Sequence, residues 1–98
     1  MDPRIEVELT ENEIEAIKAR CEAATRGPWR SFVEGRDHES GSNFIMTGSG
    51  SSRGKDIEPN GATVADQDFI AHARQDVPRL VAEIVRLRGL LREAPGEG

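Results

Sequence analysis

The sequence predicts a small α+β domain: an N-terminal helix, a short antiparallel hairpin or sheet, then a long C-terminal helical segment that is kinked or broken. Three observations carry this. The segment LTENEIEAIKARCEAATRGP has start and stop signals of a helix at its two ends. The runs WRSFV and NFIMT that follow are β-prone and separated by polar GRDHESGS. In the last third, Val77, Leu80, Ile84, Leu87 and Leu91 recur at 3, 4, 3, 4 spacing, the period of a helix.

The elements follow in order. Residues 1–9 form an extended lead in which Ile5, Val7 and Leu9 alternate with charges. Thr10 is an N-cap, Glu13 completes a capping box, and Leu9 with Ile14 forms a hydrophobic staple. Ile14, Ile17, Cys21 and Ala24 then share one face, and Gly27-Pro28 ends a helix expected over 11–25. The β segment spans 29–58 and contains a mobile Gly/Ser-rich loop at 48–56, with one more extended piece around Asp56 to Glu58. Helices occupy 64–94. Thr63 caps the first with Asp66 at its third position, and Asp76 with Pro78 starts a second, so a break is expected near Gln75. The tail at 95–98 frays.

A chain of 98 residues with 36% apolar and 32% charged composition is one domain with a lean core. Self-association would supply the missing burial. Val81, Val85 and Leu90 widen the apolar stripe beyond a strict coiled-coil seam. The C-terminal helix is thus expected to pack on the first helix and hairpin with one edge, and on a symmetry mate with the other. The alternative is a monomer with one wide core face. The net charge of -5 argues against general nucleic-acid binding. One cysteine, Cys21, rules out an intrachain disulfide, and the start MDPRIEVEL has no export signal. No apolar run is long enough for a membrane. A cytoplasmic protein is expected.

Several chemistries fail on spacing. GSGSSRGK lacks the glycine five positions before Gly-Lys and the Ser or Thr after it, so the Walker grammar fails, as does the dinucleotide one, and no cofactor is expected. A backbone nest for an anion near Arg53 and Lys55 survives. Asp68, His72 and Asp76 at i, i+4 and i+8, with Asp37, His38 and Glu39 from the turn, keep a metal-dependent hydrolase as a third alternative. Asp37 and His38 are adjacent, which weakens them as an acid/base pair, and no catalytic residue is assigned. What accumulates is planar polar recognition equipment, in Arg36, Arg53, Arg74, His38, Gln67 and Gln75.

At EAATRGPW, and again at ADQDFIAHARQDVPRLVAEIVRLR, the chain resembles small Ead-type proteins of temperate-phage early regions and related uncharacterised phage and actinobacterial proteins. The matches are Ala24, Thr25, Gly27, Pro28 and Trp29, then Ala65, Asp66, Phe69, Ile70, Ala71, Pro78, Leu80 and Leu87, with Arg26 where the family often has proline. The resemblance implies a cytosolic phage or mobile-element accessory protein without known catalytic residues. The expected function is non-enzymatic binding of a small anionic, nucleotide-like ligand. Its site is Arg36, Asp37, His38, Ser42, Arg53, Gln67, His72 and Arg74. The alternative is a module that binds a host protein.

Overall fold

The computed structural model describes residues 8–93; residues 1–7 of the expected lead, with Ile5 and Val7, and residues 94–98 of the tail lie outside them. Helix α1 (Glu11–Ala23) leads to strands β1 (Trp29–Phe32) and β2 (Phe44–Thr47), a 3-10 turn (Gly50–Ser52) and helix α2 (Val64–Glu93). This is the α+β order that the sequence predicts.

Thr10 caps α1 as expected: its hydroxyl accepts from Glu13 N–H at 3.0 Å, and the Glu13 carboxylate accepts from Thr10 N–H at 2.8 Å. The helix closes two residues before the expected 25, with Ala24 as an extended C-cap, and the Thr25 carbonyl just beyond it is a tertiary anchor. It accepts from Trp29 Nε1 at 3.0 Å and from Arg74 Nε at 2.9 Å, which binds the exit of α1 to both β1 and α2. At the other end, Arg88 Nη2 donates to the Leu9 carbonyl at 2.9 Å. α1 therefore lies antiparallel along α2. Ile14 is buried in that contact, Ile17 and Cys21 are half-buried, and Ala24 is exposed.

The strands pair antiparallel, with Trp29 opposite Thr47 and Phe32 opposite Phe44. Ile57 adds the expected third extended piece through a two-bond bridge to Ile45, at 2.8 and 2.9 Å. The core is small: Ile14, Val33, Ile45, Ala71 and Val81 are its buried apolar residues, joined by Thr47 and Gln67.

The expected break near Gln75 does not occur; α2 is one helix of 30 residues with Pro78 inside it, and Asp76 is not a cap. Proline there removes one helical bond and disfavours the helix by about 3 kcal/mol. Tertiary anchors on both sides oppose the break. Before Pro78, the Gln75 side chain accepts from Trp29 N–H at 2.6 Å and donates to the Ala71 and Trp29 carbonyls at 3.1 and 3.3 Å. After it, Val81 is buried in the same core as Ile14 of α1. The true N-cap is Thr63, in a reciprocal capping box with Asp66 at 3.0 and 3.1 Å.

The loop at 48–56 is likewise tied rather than free. Gly54 N–H donates to the Thr47 carbonyl at 2.9 Å, and the Thr47 hydroxyl donates to the Lys55 carbonyl at 2.9 Å. The Ser52 and Arg53 N–H groups donate to the Ser49 and Gly50 carbonyls. These donors are consumed within the loop, so the anion nest expected there lacks them.

Candidate functional site

The turn between the strands is built before anything can bind to it. The Val33 carbonyl accepts from Arg36 N–H at 3.0 Å and Asp37 N–H at 2.7 Å, while Asp37 Oδ2 accepts from Val33 N–H at 2.8 Å. Asn43 Oδ1 accepts from Glu34 N–H at 2.8 Å, which closes the far side. Gly35 takes φ of 85°, a value that favours glycine. The turn thus presents Arg36 on a preset backbone.

Arg36 does not face solvent unpaired. Its Nη1 and Nη2 grip Asp68 on α2 at 2.9 and 3.0 Å, and its Nε donates to Asp37 at 2.9 Å. This two-pronged fork is the geometry in which guanidinium and carboxylate bind best. It holds the Asp68 carboxyl down at about 2, with the Ser31 hydroxyl as the next cause. Asp37 is also lowered, by Arg36 first and the Val33 N–H second. The Arg36 pKa is raised by the same partners, Asp68 ahead of Asp37.

An open groove of about 520 Å³ runs beside this clamp, lined among others by Trp29, Arg30, Arg36, Asp68, His72 and Gln75. Of the predicted site residues it gathers Arg36, Asp37 and His72. His38 is turned away: a ring nitrogen, Nδ1, lies 2.7 Å from the Ser40 carbonyl, Nε2 is buried without a partner among the described residues, and the ring leans on Phe44 at 5.5 Å. A carbonyl only accepts, so Nδ1 carries the hydrogen of that bond. Ser42 is exposed at the end of the turn. Arg53 pairs with Asp56 inside its own loop, and Arg74 donates to Thr25. Gln67 is 1% exposed, with Nε2 bonded to Ser31, Phe32 and Phe44.

The expected set therefore divides. Gln67 and Arg74 hold elements together, Arg53 holds a loop, and Arg36 joins the turn to α2. No group of three or more His, Cys, Asp or Glu among the described residues could hold a metal ion, and Asp68 of the spaced helical trio is committed to Arg36. Sequence reasoning left Asp68 and Gln75 out of the site. Their signal was present but unspecific: Asp68 stands at i, i+4 and i+8 with His72 and Asp76, and Gln75 belongs to the planar polar set, yet neither pattern shows which partner each side chain takes.

The clamp makes a pH prediction with a fixed sign. A carboxylate whose folded pKa is depressed contributes stability above its unfolded pKa and loses it as pH falls through the folded value. With Asp68 lowered from 3.8 to about 2, the gap in urea midpoint between wild type and Arg36→Ala should be full above about pH 4 and close towards about pH 2. Paired urea titrations across that range check it, and a gap independent of pH would refute the clamp.

No family model matches the chain, and neither does any curated protein or solved structure. The Ead-type resemblance therefore rests on the residues quoted for it. Five of them, Ala24, Thr25, Gly27, Pro28 and Trp29, form the α1-to-β1 connection that Arg74 and Gln75 grip. No helix among the described residues is long and apolar enough to cross a membrane.

Proposed function

We propose that this protein is a non-enzymatic accessory protein that works by binding another protein chain through the outer face of α2. The observation that supports this is the exposure of large apolar side chains along one helix. Phe69 is 74% exposed, Leu80 61% and Leu91 76%, with Leu87 and Leu90 about half exposed beside them. Scattered exposed leucines are ordinary, but a contiguous apolar strip on a folded surface is typical of an interaction site. A phage or mobile-element setting, implied by the Ead-type resemblance, belongs to the same proposal.

Binding of a small anionic, nucleotide-like ligand is less well supported. Of the basic groups it would use, Arg36 is held by Asp68 and Asp37, Arg53 by Asp56 and Arg74 by the Thr25 carbonyl. That leaves His72, with Arg30 beside it in the groove, to carry an anion.

The interaction reading is tested with Leu80→Glu/Leu87→Glu, which alters two side chains outside the core. Circular dichroism should show unchanged helix content, while native mass spectrometry should show the wild type in a complex, with itself or another protein, and the variant alone. Wild type that travels as a bare monomer from every preparation would overturn it.

A further inference from the structure

The apolar strip on α2 has a more specific pattern than exposure alone. The seam of Val77, Leu80, Ile84, Leu87 and Leu91 extends backward without a change of phase to Ala73 and Ile70. In heptad terms Ile70, Val77, Ile84 and Leu91 take the a positions, and Ala73, Leu80 and Leu87 take d. All seven are half-buried or exposed. The core is centred on a neighbouring edge, where Gln67, Ala71 and Val81 are the buried residues of α2, while Ile70, Ala73 and Val77 of the seam also line the open groove towards α1. Leu80 and Val81 are neighbours in sequence, so they point about 100° apart round the helix. Val81 goes into the core with α1 and Leu80 to solvent, which leaves room for a second helix on the seam without displacing α1.

We infer that the seam is occupied by a second copy of this chain, packed parallel and in register as a two-stranded coiled coil along 70–91. This rests on the reading of the outer face of α2 as the working surface and names its partner. Two independent features select that partner. β-branched residues at a with leucine at d favour parallel two-stranded packing, and three of the four a residues here are Ile or Val while two of the three d residues are Leu.

The second feature is charge. The e edge carries Arg74, Val81 and Arg88, and the g edge carries Phe69, Asp76, Glu83 and Leu90. In a parallel pair each g residue faces the e residue five places on in the other chain. Glu83 then lies beside Arg88 of the second copy, acid near base; within its own chain Glu83 already accepts from Arg86 and Arg88 donates to the Leu9 carbonyl, so the pairing contributes the favourable sign of charge across the seam and not a new ion pair between free groups. An antiparallel pair sets g against g and e against e, so acids face acids and arginines face arginines, which disfavours it. A host helix would have to supply this complementary pattern independently; a second copy supplies it by symmetry.

The same pairing accounts for the most exposed aromatic residue. Phe69 of one copy faces Arg74 of the other, and Arg74 lines an open apolar groove of about 260 Å³ between α1 and α2 whose walls include Ile17, Cys21, Trp29 and Val77. Phe69 thus has an apolar destination. The two α1 helices flank the pair, which gives a four-helix arrangement around the seam.

Sedimentation equilibrium should report twice 10.7 kDa for the wild type, and Leu80→Glu/Leu87→Glu should weaken dimerisation by roughly 100-fold or more with helix content retained. Ile84→Asn, a milder change, should also weaken it. Orientation is read with single cysteines in a Cys21→Ser background. Leu87→Cys should oxidise rapidly to a disulfide-linked dimer, because identical d positions face each other only in a parallel register. If Leu87→Cys instead links only to an added Ile70→Cys chain, an a position that faces d only in an antiparallel pair, the parallel inference is overturned. A wild-type monomer at high micromolar concentration overturns the second copy as partner. If that monomer holds a different protein at the seam, the interaction reading stands; if it holds none, both fall.

Discussion

Gln67→Ala should destabilise the protein by about 3 kcal/mol, a large share of the 5–15 kcal/mol or so that small domains possess. The side chain is 1% exposed, at the point where α2 crosses under the hairpin. Its Nε2 donates to Ser31 Oγ at 2.9 Å, Phe44 O at 3.0 Å and Phe32 O at 3.1 Å. An amide nitrogen has two hydrogens, so three acceptors require one shared bond, and they also fix which end of the amide faces the strands. Truncation removes these bonds and opens a void where the core has few other residues. For a domain of this size the loss corresponds to roughly 12–24 °C in Tm. Gln67→Met separates the causes, since it keeps most of the volume and removes the donors. Gln67→Glu adds a sign: a carboxylate against two carbonyls is unfavourable and raises the folded pKa, so that variant should gain stability as pH falls. Thermal melts of the three variants decide it; a change in Tm below about 4 °C for Gln67→Ala would mean that the tie contributes little.

Gln67 also shows which parts of this molecule the sequence discloses. The start of α1 was legible because capping is local chemistry: Thr10 and Glu13 are three residues apart and recognise each other without the rest of the chain. The hairpin was legible because two β-prone runs flank a turn-forming stretch. The continuity of α2 was not, because Pro78 is a local signal and the bonds that override it come from Trp29, 46 residues from Gln75. The bonding of the expected site residues was hidden for a related reason. Arg36, Arg53, Arg74 and Gln67 have the side chains of recognition residues, and sequence shows that capacity but not whether the chain's own acceptors consume it. Each is consumed here, by Asp68, Asp56, the Thr25 carbonyl and the strand carbonyls. The seam on α2 was legible as a period, while its exposure required knowing that the core with α1 used the neighbouring edge.

Gly48→Ala should be as damaging, for a steric reason that the sequence conceals behind a run of glycine and serine. Gly48 has φ of 69°, and a Cβ built on it would stand 2.1 Å from the Ser52 carbonyl oxygen and 2.8 Å from its carbon. Both are backbone atoms, so no rotamer change relieves the overlap. The surrounding loop has little freedom to retreat, since Ser52 N–H is bonded to Ser49, Gly54 N–H to Thr47, and the Thr47 hydroxyl to Lys55. A methyl group must therefore open bonds that close the loop onto the buried end of β2. The left-handed conformation costs about 1–2 kcal/mol and overpacking a further 1–3 kcal/mol or so, which puts the expected loss near 3–4 kcal/mol. Gly50 is the internal control: its φ is 54°, yet nothing lies within 4 Å of its added Cβ, so Gly50→Ala should lose only the conformational part, about 1–2 kcal/mol. Urea unfolding of the two variants side by side tests the account, and equal losses would show that the loop yields freely and that Gly48 serves no packing role.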